Sequence, residues 1–99
     1  MSDITVIILT KNEEKNIKAS IISSKQIAER IIVVDSGSND KTIEIAKELG
    51  AEVYYHEWEG HAKQFNWALD NCSVKTEWVF RLDMKVDSGE VIQNRSYQP

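Results

Sequence analysis

Four short runs of apolar, mostly β-branched residues constrain what this chain can fold into. They are residues 4–9, 31–34, 53–55 and 78–82 of a 99-residue sequence. Each run is almost continuously apolar, which is the pattern of a strand buried on both faces of a parallel sheet. Stretches with helical spacing lie between the runs, at about 12–24, 40–49 and 61–72. This alternation predicts an α/β fold: a partial, doubly wound, mainly parallel sheet of about four strands with three helices.

Capping residues and apolar periodicity set the expected boundaries. We expect Asn12 to cap the first helix, followed by acidic residues that complement the helix dipole, and Gly50 to end the second. The apolar pattern is lost after Asp87. The sequence therefore predicts an α/β domain over residues 1–87 and an irregular tail over 88–99. With 78–82 as its last strand, the sheet has an uncovered edge, which is typical of the front part of a larger protein.

Composition excludes several classes of function. Twelve Lys and Arg against sixteen Asp and Glu give a net charge of -4, which disfavours nucleic acid as a partner. The single cysteine, Cys72, falls on the apolar stripe of the third helix and is expected to be a buried, inert thiol. The sequence has neither a signal peptide pattern nor about 18 consecutive apolar residues. We expect a cytoplasmic chain, whose membrane association, where it occurs, is peripheral.

Polar residues follow three of the predicted strands directly. Thr10 to Glu13 follow the first strand, residues 35–40 (DSGSND) the second, and Asp83 the last. Ligands of open α/β sheets bind at the carboxyl ends of the strands, so we expect Asp35 and Asp83 to lie side by side at one edge and to face a ligand. The alternative is that Asp35 only caps the turn into the second helix. Glycine-rich dinucleotide and P-loop motifs are missing from the sequence.

These polar residues belong to longer stretches that resemble one known family. Residues 6–14 (VIILTKNEE) and 31–42 (IIVVDSGSNDKT) are together similar to the opening of family 2 glycosyltransferases of GT-A fold. The likeness continues at Gly60, Gln64, Asn66, Ala68 and Leu69 and through residues 77–83 (EWVFRLD). It implies a nucleotide-diphosphate sugar as donor, a saccharide or lipid-linked acceptor, and inverting transfer in polysaccharide or cell-envelope biosynthesis.

The resemblance also assigns residues to roles. It implies that Thr10, Asn12 and Glu13 line the nucleoside pocket and that Asp35 hydrogen-bonds the base or the ribose. Asp83 matches the first carboxylate of the D-x-D motif, which holds Mg²⁺ or Mn²⁺ against the donor diphosphate. Lys85 stands where the second carboxylate belongs, and its ammonium group disfavours a divalent cation there by a few kcal/mol at an effective dielectric near ~20.

Two further departures concern catalysis. Phe65 stands where many relatives have a basic residue before the asparagine, Asn66. In the family, the general base and the acceptor-binding part lie downstream of the D-x-D region, and the 99 residues do not include them. General bases contribute about 100- to 10,000-fold to such reactions, so we expect the chain alone to be poorly active or inactive, with no catalytic residue assigned.

Other interpretations remain open on the sequence alone. The first is a non-catalytic α/β module that forms a homo-oligomer or docks a partner through an edge strand. A flavodoxin-like signalling domain is disfavoured, because Asp35 has no partner carboxylate at the end of the first strand. The segment with His56, Trp58 and His61 lacks regular metal-ligand spacing and predicts a solvated acidic loop, in which Trp58 is a candidate for stacking on a sugar or base.

Overall fold

A computed structural model describes residues 3–83 and 88–93, with backbone positions alone for Asp83 and for 88–93. The strands are β1 (Ile4–Thr10), β2 (Arg30–Asp35), β3 (Glu52–Tyr55), β4 (Trp78–Asp83) and β5 (Ser88–Gln93); the helices are α1 (Ile17–Lys25), α2 (Thr42–Glu48) and α3 (His61–Asn71). The strands form a sheet in the order β3-β2-β1-β4-β5. β1 to β4 pair in parallel and β5 runs antiparallel to β4. The predicted α/β fold is confirmed.

Both faces of the central strands are covered by helices. Successive residues of a strand point to opposite faces, and here each face has its own apolar cluster. One cluster joins the sheet to α1 and α2, and includes Val6, Ile8, Ile17, Ile21, Val33 and Ala46. The other joins the sheet to α3, and includes Ile7, Leu9, Ile32, Val34, Phe65 and Ala68. Burial on both sides explains why β1 and β2 are apolar at nearly every position.

The first helix begins later than the sequence predicts. α1 starts at Ile17, and Asn12, the expected cap, has a φ of 55° and lies outside the helix. Its side-chain oxygen accepts a hydrogen bond from the amide of Asn39, 2.7 Å away, in the loop after β2. The predicted cap is therefore wrong, because this segment contacts another loop instead of continuing into the helix. The predicted end of the second helix is confirmed, since α2 finishes just before Gly50, whose φ is 89°.

Part of the predicted tail is a strand. Residues 88–93 form β5, whose register on β4 places Ser88 opposite Asp83 and Gln93 opposite Trp78. The prediction of an irregular tail is therefore wrong for 88–93, and residues 94–99 lie outside the described residues. Antiparallel backbone pairing requires no apolar alternation, so the sequence pattern did not reveal it. β4 has a partner on each side and is not the uncovered edge.

The carboxyl ends of β1, β2 and β4 meet at one edge of the sheet, which we call the carboxyl edge. Asp35 pairs with Thr10, and Asp83 pairs with Leu9. β1 lies between the two aspartates, so their backbones are two strand spacings apart, about 10 Å. They share the predicted edge but do not lie side by side. Over residues 3–83 and 88–93, no helix has the length and apolar character needed to cross a bilayer.

Candidate functional site

Asp35 is fully enclosed at the carboxyl edge. It is 0% exposed, and its Oδ1 accepts hydrogen bonds from the hydroxyls of Thr10, at 2.8 Å, and Ser38, at 2.5 Å. Its Oδ2 accepts from the amides of Gly37, at 2.9 Å, and Ser38, at 2.7 Å. A carboxylate offers about four acceptor positions, so internal donors fill all of them. The structure thus places Asp35 in the capping role that the sequence left as the alternative.

Thr10 is also buried and acts within the protein. Its hydroxyl donates to Asp35, and its carbonyl accepts from the amide of Ser36, at 3.1 Å, and from the Ser36 hydroxyl, at 3.3 Å. The main chain after β2 is therefore held against the end of β1. Gly37 follows with a φ of 113°, a conformation that glycine adopts without the strain of a side chain. Together these contacts fix the turn that leaves the sheet.

The loop after β1 and the loop after β2 are tied to each other by side chains. The amide of Asn12 donates to the Ser38 hydroxyl at 2.8 Å, and the Asn12 side-chain oxygen accepts from Asn39. The amide of Glu13 donates to the hydroxyl of Thr42, also at 2.8 Å. We call these two tied loops, residues 10–16 and 36–41, the rim. The contacts explain the polar residues at Asn12, Ser38 and Asn39.

Asp40 holds the start of α2 in place at the rim. Its Oδ1 accepts from the amide and the hydroxyl of Thr42, and its Oδ2 accepts from the amide of Glu14 at 3.2 Å. Desolvation raises the pKa of Asp40, but these hydrogen bonds outweigh it and hold the pKa below its ordinary value. The ionised carboxylate is therefore the form that links the two loops.

The sequence-predicted site residues divide into two groups. Thr10 and Asp35 are buried, and the polar groups of their side chains bond inside the protein. Asn12 is exposed and Glu13 partly exposed, and both lie on the rim. Asp83 ends β4 at the same edge, and its backbone alone is described. The structure therefore brings all of them to one edge, although the side chains of Thr10 and Asp35 are enclosed there and that of Asn12 also bonds within the protein.

Two residues that the sequence did not single out as site residues also belong to this edge. His56 follows β3 directly, and its amide donates to the carbonyl of Asp35 at 3.0 Å. Gln64 of α3 is 0% exposed and forms two hydrogen bonds with His56. The sequence did contain a signal for this pair. Gln64 lies on the buried side of α3 beside Phe65 and near Ala68, and a buried polar group requires a hydrogen-bond partner.

The assignment of a divalent metal to Asp83 stays a prediction, because only the backbone of Asp83 is described. Asp35 has no acceptor position left, and residues 3–83 and 88–93 contain no group of three His, Cys, Asp or Glu placed to hold an ion. His56 is bonded to Gln64 instead of gathering with His61 and the neighbouring glutamates. We therefore derive no chemical step through a metal ion.

Comparison with known proteins identifies the family. The sequence model of Glycosyl transferase family 2 matches residues 5–84. The chain belongs to this family. An uncharacterized glycosyltransferase of Rickettsia bellii is 40% identical over 91 residues, which are 92% of this chain and 30% of that protein. The lipopolysaccharide core biosynthesis glycosyltransferase LpsC of Rhizobium meliloti is 34% identical over 85 residues, or 81% of this chain and 30% of that protein.

A solved glycosyltransferase structure shares the architecture. The glucosyl-3-phosphoglycerate synthase of Mycobacterium tuberculosis, in complex with Mn²⁺, UDP and glucosyl-3-phosphoglycerate, superposes with a TM-score of 0.68 at 27% identity. The match covers 81% of this chain and 32% of that structure. The chain thus spans about a third of the length of the relatives that it matches. This likeness agrees with the GT-A fold that the sequence motifs implied.

Proposed function

We propose that this chain forms the nucleotide-sugar-binding part of an inverting glycosyltransferase, with the nucleotide seated on the rim. The observation that carries the proposal is the tied pair of loops at the carboxyl ends of β1 and β2. Ligands of open α/β sheets bind at such an edge, and the family match covers both loops. The UDP complex of the mycobacterial relative supports a nucleoside diphosphate as the ligand class.

Each predicted site residue receives a role in this proposal. Asn12 and Glu13 lie at the exposed surface of the rim and line the nucleoside pocket. Thr10 and Asp35 act as positioning residues, because their hydrogen bonds hold Gly37 and Ser38 in the conformation that faces the ligand. Asp83, at the end of β4, is assigned to the diphosphate side of the pocket, one strand beyond β1.

The acceptor is a saccharide or a lipid-linked saccharide in polysaccharide or cell-envelope biosynthesis. The relative from Rhizobium meliloti, named for lipopolysaccharide core biosynthesis, supports this class. The described residues provide binding and orientation, and no side chain among them is assigned as the general base. We therefore propose that residues 1–99 alone bind the donor but transfer the sugar poorly or not at all.

Thermal denaturation with nucleotide ligands tests the proposal. A ligand at about 100 times its Kd stabilises the folded state by about 2.7 kcal/mol, which raises the Tm of a domain of this size by roughly 10 °C or more. We expect this shift with UDP or GDP or the corresponding nucleotide sugars. Asn12→Ala should reduce it, whereas the control Asn71→Ala, at the far end of α3, should not. A Tm that no nucleotide raises would overturn the proposal.

Size-exclusion chromatography on the same samples separates this function from an interaction module. The proposal predicts that nucleotide stabilises the protein whatever its oligomeric state. A tight dimer whose Tm is indifferent to every nucleotide would favour docking through an edge strand instead.

A further inference from the structure

His56 lies in a loop, but hydrogen bonds and a stacked ring hold it at the carboxyl edge. Its amide donates to the carbonyl of Asp35 at 3.0 Å, which extends the β2 to β3 pairing by one residue. His56 therefore lies directly after the last residue of β3, Tyr55, and its imidazole is beside the rim. The residue is partly exposed, so the ring lies at the boundary between the core and the surface where the nucleotide is proposed to bind.

Gln64 fixes which nitrogen of this imidazole has the proton. Its Nε2 donates to the carbonyl oxygen of His56 at 3.0 Å. A carbonyl only accepts, so the amide orientation is unambiguous and the opposite atom is Oε1. That oxygen lies 2.8 Å from Nδ1 of His56 and also only accepts, so Nδ1 must be the donor. In the neutral ring, Nε2 then has the lone pair and is an acceptor.

Trp67 fixes the plane of the ring. The His56 and Trp67 rings are stacked, with centroids 4.7 Å apart and planes 26° from parallel. Trp67 itself packs on the apolar cluster under α3 and meets Tyr54 edge to face. The two ring nitrogens point in divergent directions, so Nε2 points away from the buried Gln64. The contacts thus present a single acceptor atom in one orientation.

We propose that Nε2 of His56 accepts a hydrogen bond from the nucleoside of the bound nucleotide, from a ring N–H of the base or a ribose hydroxyl. This inference rests on the proposed function and names the residue that reads the nucleoside. The sequence motifs assign that acceptor role to Asp35, but all acceptor positions of Asp35 are filled. His56 is the neighbouring side chain that offers an oriented acceptor. A group already fixed by Gln64 and Trp67 loses little conformational entropy when it binds.

Calorimetric titration of UDP and GDP into wild type and His56→Asn tests the inference. The asparagine amide keeps a donor near the Nδ1 position for Gln64 and removes the acceptor at Nε2. One hydrogen bond is worth about 0.5 to 1.5 kcal/mol, so we expect Kd to rise about threefold to tenfold. Asn71→Ala, at the far end of α3, is the control and should leave Kd unchanged. Titration of 3-methyl-UDP and 2′-deoxy-UDP then distinguishes a base donor from a ribose donor, because the analogue that lacks the donor should bind both proteins equally.

Nitrogen-15 spectroscopy of the wild-type imidazole gives a readout that does not depend on any variant folding. For the neutral ring, the spectrum should show the proton on Nδ1 and a lone pair on Nε2. A proton on Nε2 in the free protein would overturn the inference. So would a His56→Asn Kd equal to that of wild type, which leaves the proposed function intact. If wild type binds no nucleotide, both the proposed function and this inference fail.

Discussion

Replacing Asp35 by asparagine tests whether its carboxylate serves the fold or the ligand. The side chain is 0% exposed and accepts hydrogen bonds from Thr10, Gly37 and Ser38. An asparagine keeps the shape and supplies one acceptor oxygen, which can satisfy the two amides. Its NH₂ group then faces the two hydroxyls, whose protons lose their acceptor. The substitution therefore removes the charge and about half of the acceptor capacity of a buried group.

The expected loss is large relative to the stability of so small a domain. Hydrogen bonds to a charged group are worth about 1.5 to 3 kcal/mol each, and neutral ones about 1. The two hydrogen bonds from the amides are weakened and the two from the hydroxyls are rearranged. We therefore expect the free energy of unfolding to fall by about 2 to 4 kcal/mol. A chain of this length has a free energy of unfolding of roughly 5 to 15 kcal/mol. We expect the Tm of Asp35→Asn to fall by on the order of 10 to 20 °C.

Urea denaturation without ligand measures this loss directly. Asp70→Asn, an exposed carboxylate on α3, is the matched control and should change the free energy of unfolding by less than about 0.5 kcal/mol. If Asp35→Asn is as stable as wild type while its nucleotide affinity collapses, the carboxylate faces the ligand. That result would refute the internal, fold-stabilising role of the Asp35 carboxylate.

Three further perturbations act at separate places. The Arg30 guanidinium, hydrogen-bonded to Glu52 at 2.6 Å, holds the pKa of that carboxyl below its ordinary value. The pair therefore contributes to the free energy of unfolding above about pH 4.5, and this contribution is lost as the pH falls through the pKa of Glu52 in the folded protein. It is at most about 1 kcal/mol, because the pair is exposed. The difference in unfolding free energy between wild type and Glu52→Gln should therefore shrink on acidification; a constant difference would contradict this. Gly37→Ala should cost about 1 to 2 kcal/mol in chemical denaturation because φ is 113°, although its Cβ would lie 3.9 Å from Tyr55, an ordinary contact; an unchanged midpoint would show that the turn relaxes. Burial raises the pKa of the Cys72 thiol, which is 2% exposed, so a thiol reagent should label it at least about 100-fold faster in denaturant than in native buffer; equal rates would place it at the surface.

The parts of the fold set by local apolar pattern were predictable. β1 and β2 are buried on both faces after their first residues, so nearly every position in them has the same buried environment. The start of α1 was not predictable, because Asn12 obeys local capping preferences but is bound by Asn39 from another loop. β5 was missed for a related reason, since its backbone pairs with a neighbour that the local pattern does not identify.

The candidate site was predictable in position and less so in atomic role. The rule that ligands meet the carboxyl ends of parallel strands located the edge correctly. It did not separate the residues that build the edge, such as Asp35, from those that are exposed on it. That separation depends on which donors surround each oxygen, and those donors come from residues such as Thr10, 25 positions away in the sequence. The pairing of His56 with Gln64 spans only eight positions, but it also depends on tertiary structure, because it joins a loop to the buried side of α3.

The tied loops of the rim also affect backbone dynamics. The amides of Asn12, Glu13 and Asn39 belong to loops, yet each donates to a side chain 26 to 29 residues away. Loop amides ordinarily exchange with solvent deuterium quickly, because they open by local fluctuation. Here each opening has to break a contact between two segments of the chain, so these protons should exchange more slowly than those of loop amides without such a contact. Deuterium uptake at these amides would then report the integrity of the whole edge in any variant, before a ligand is added.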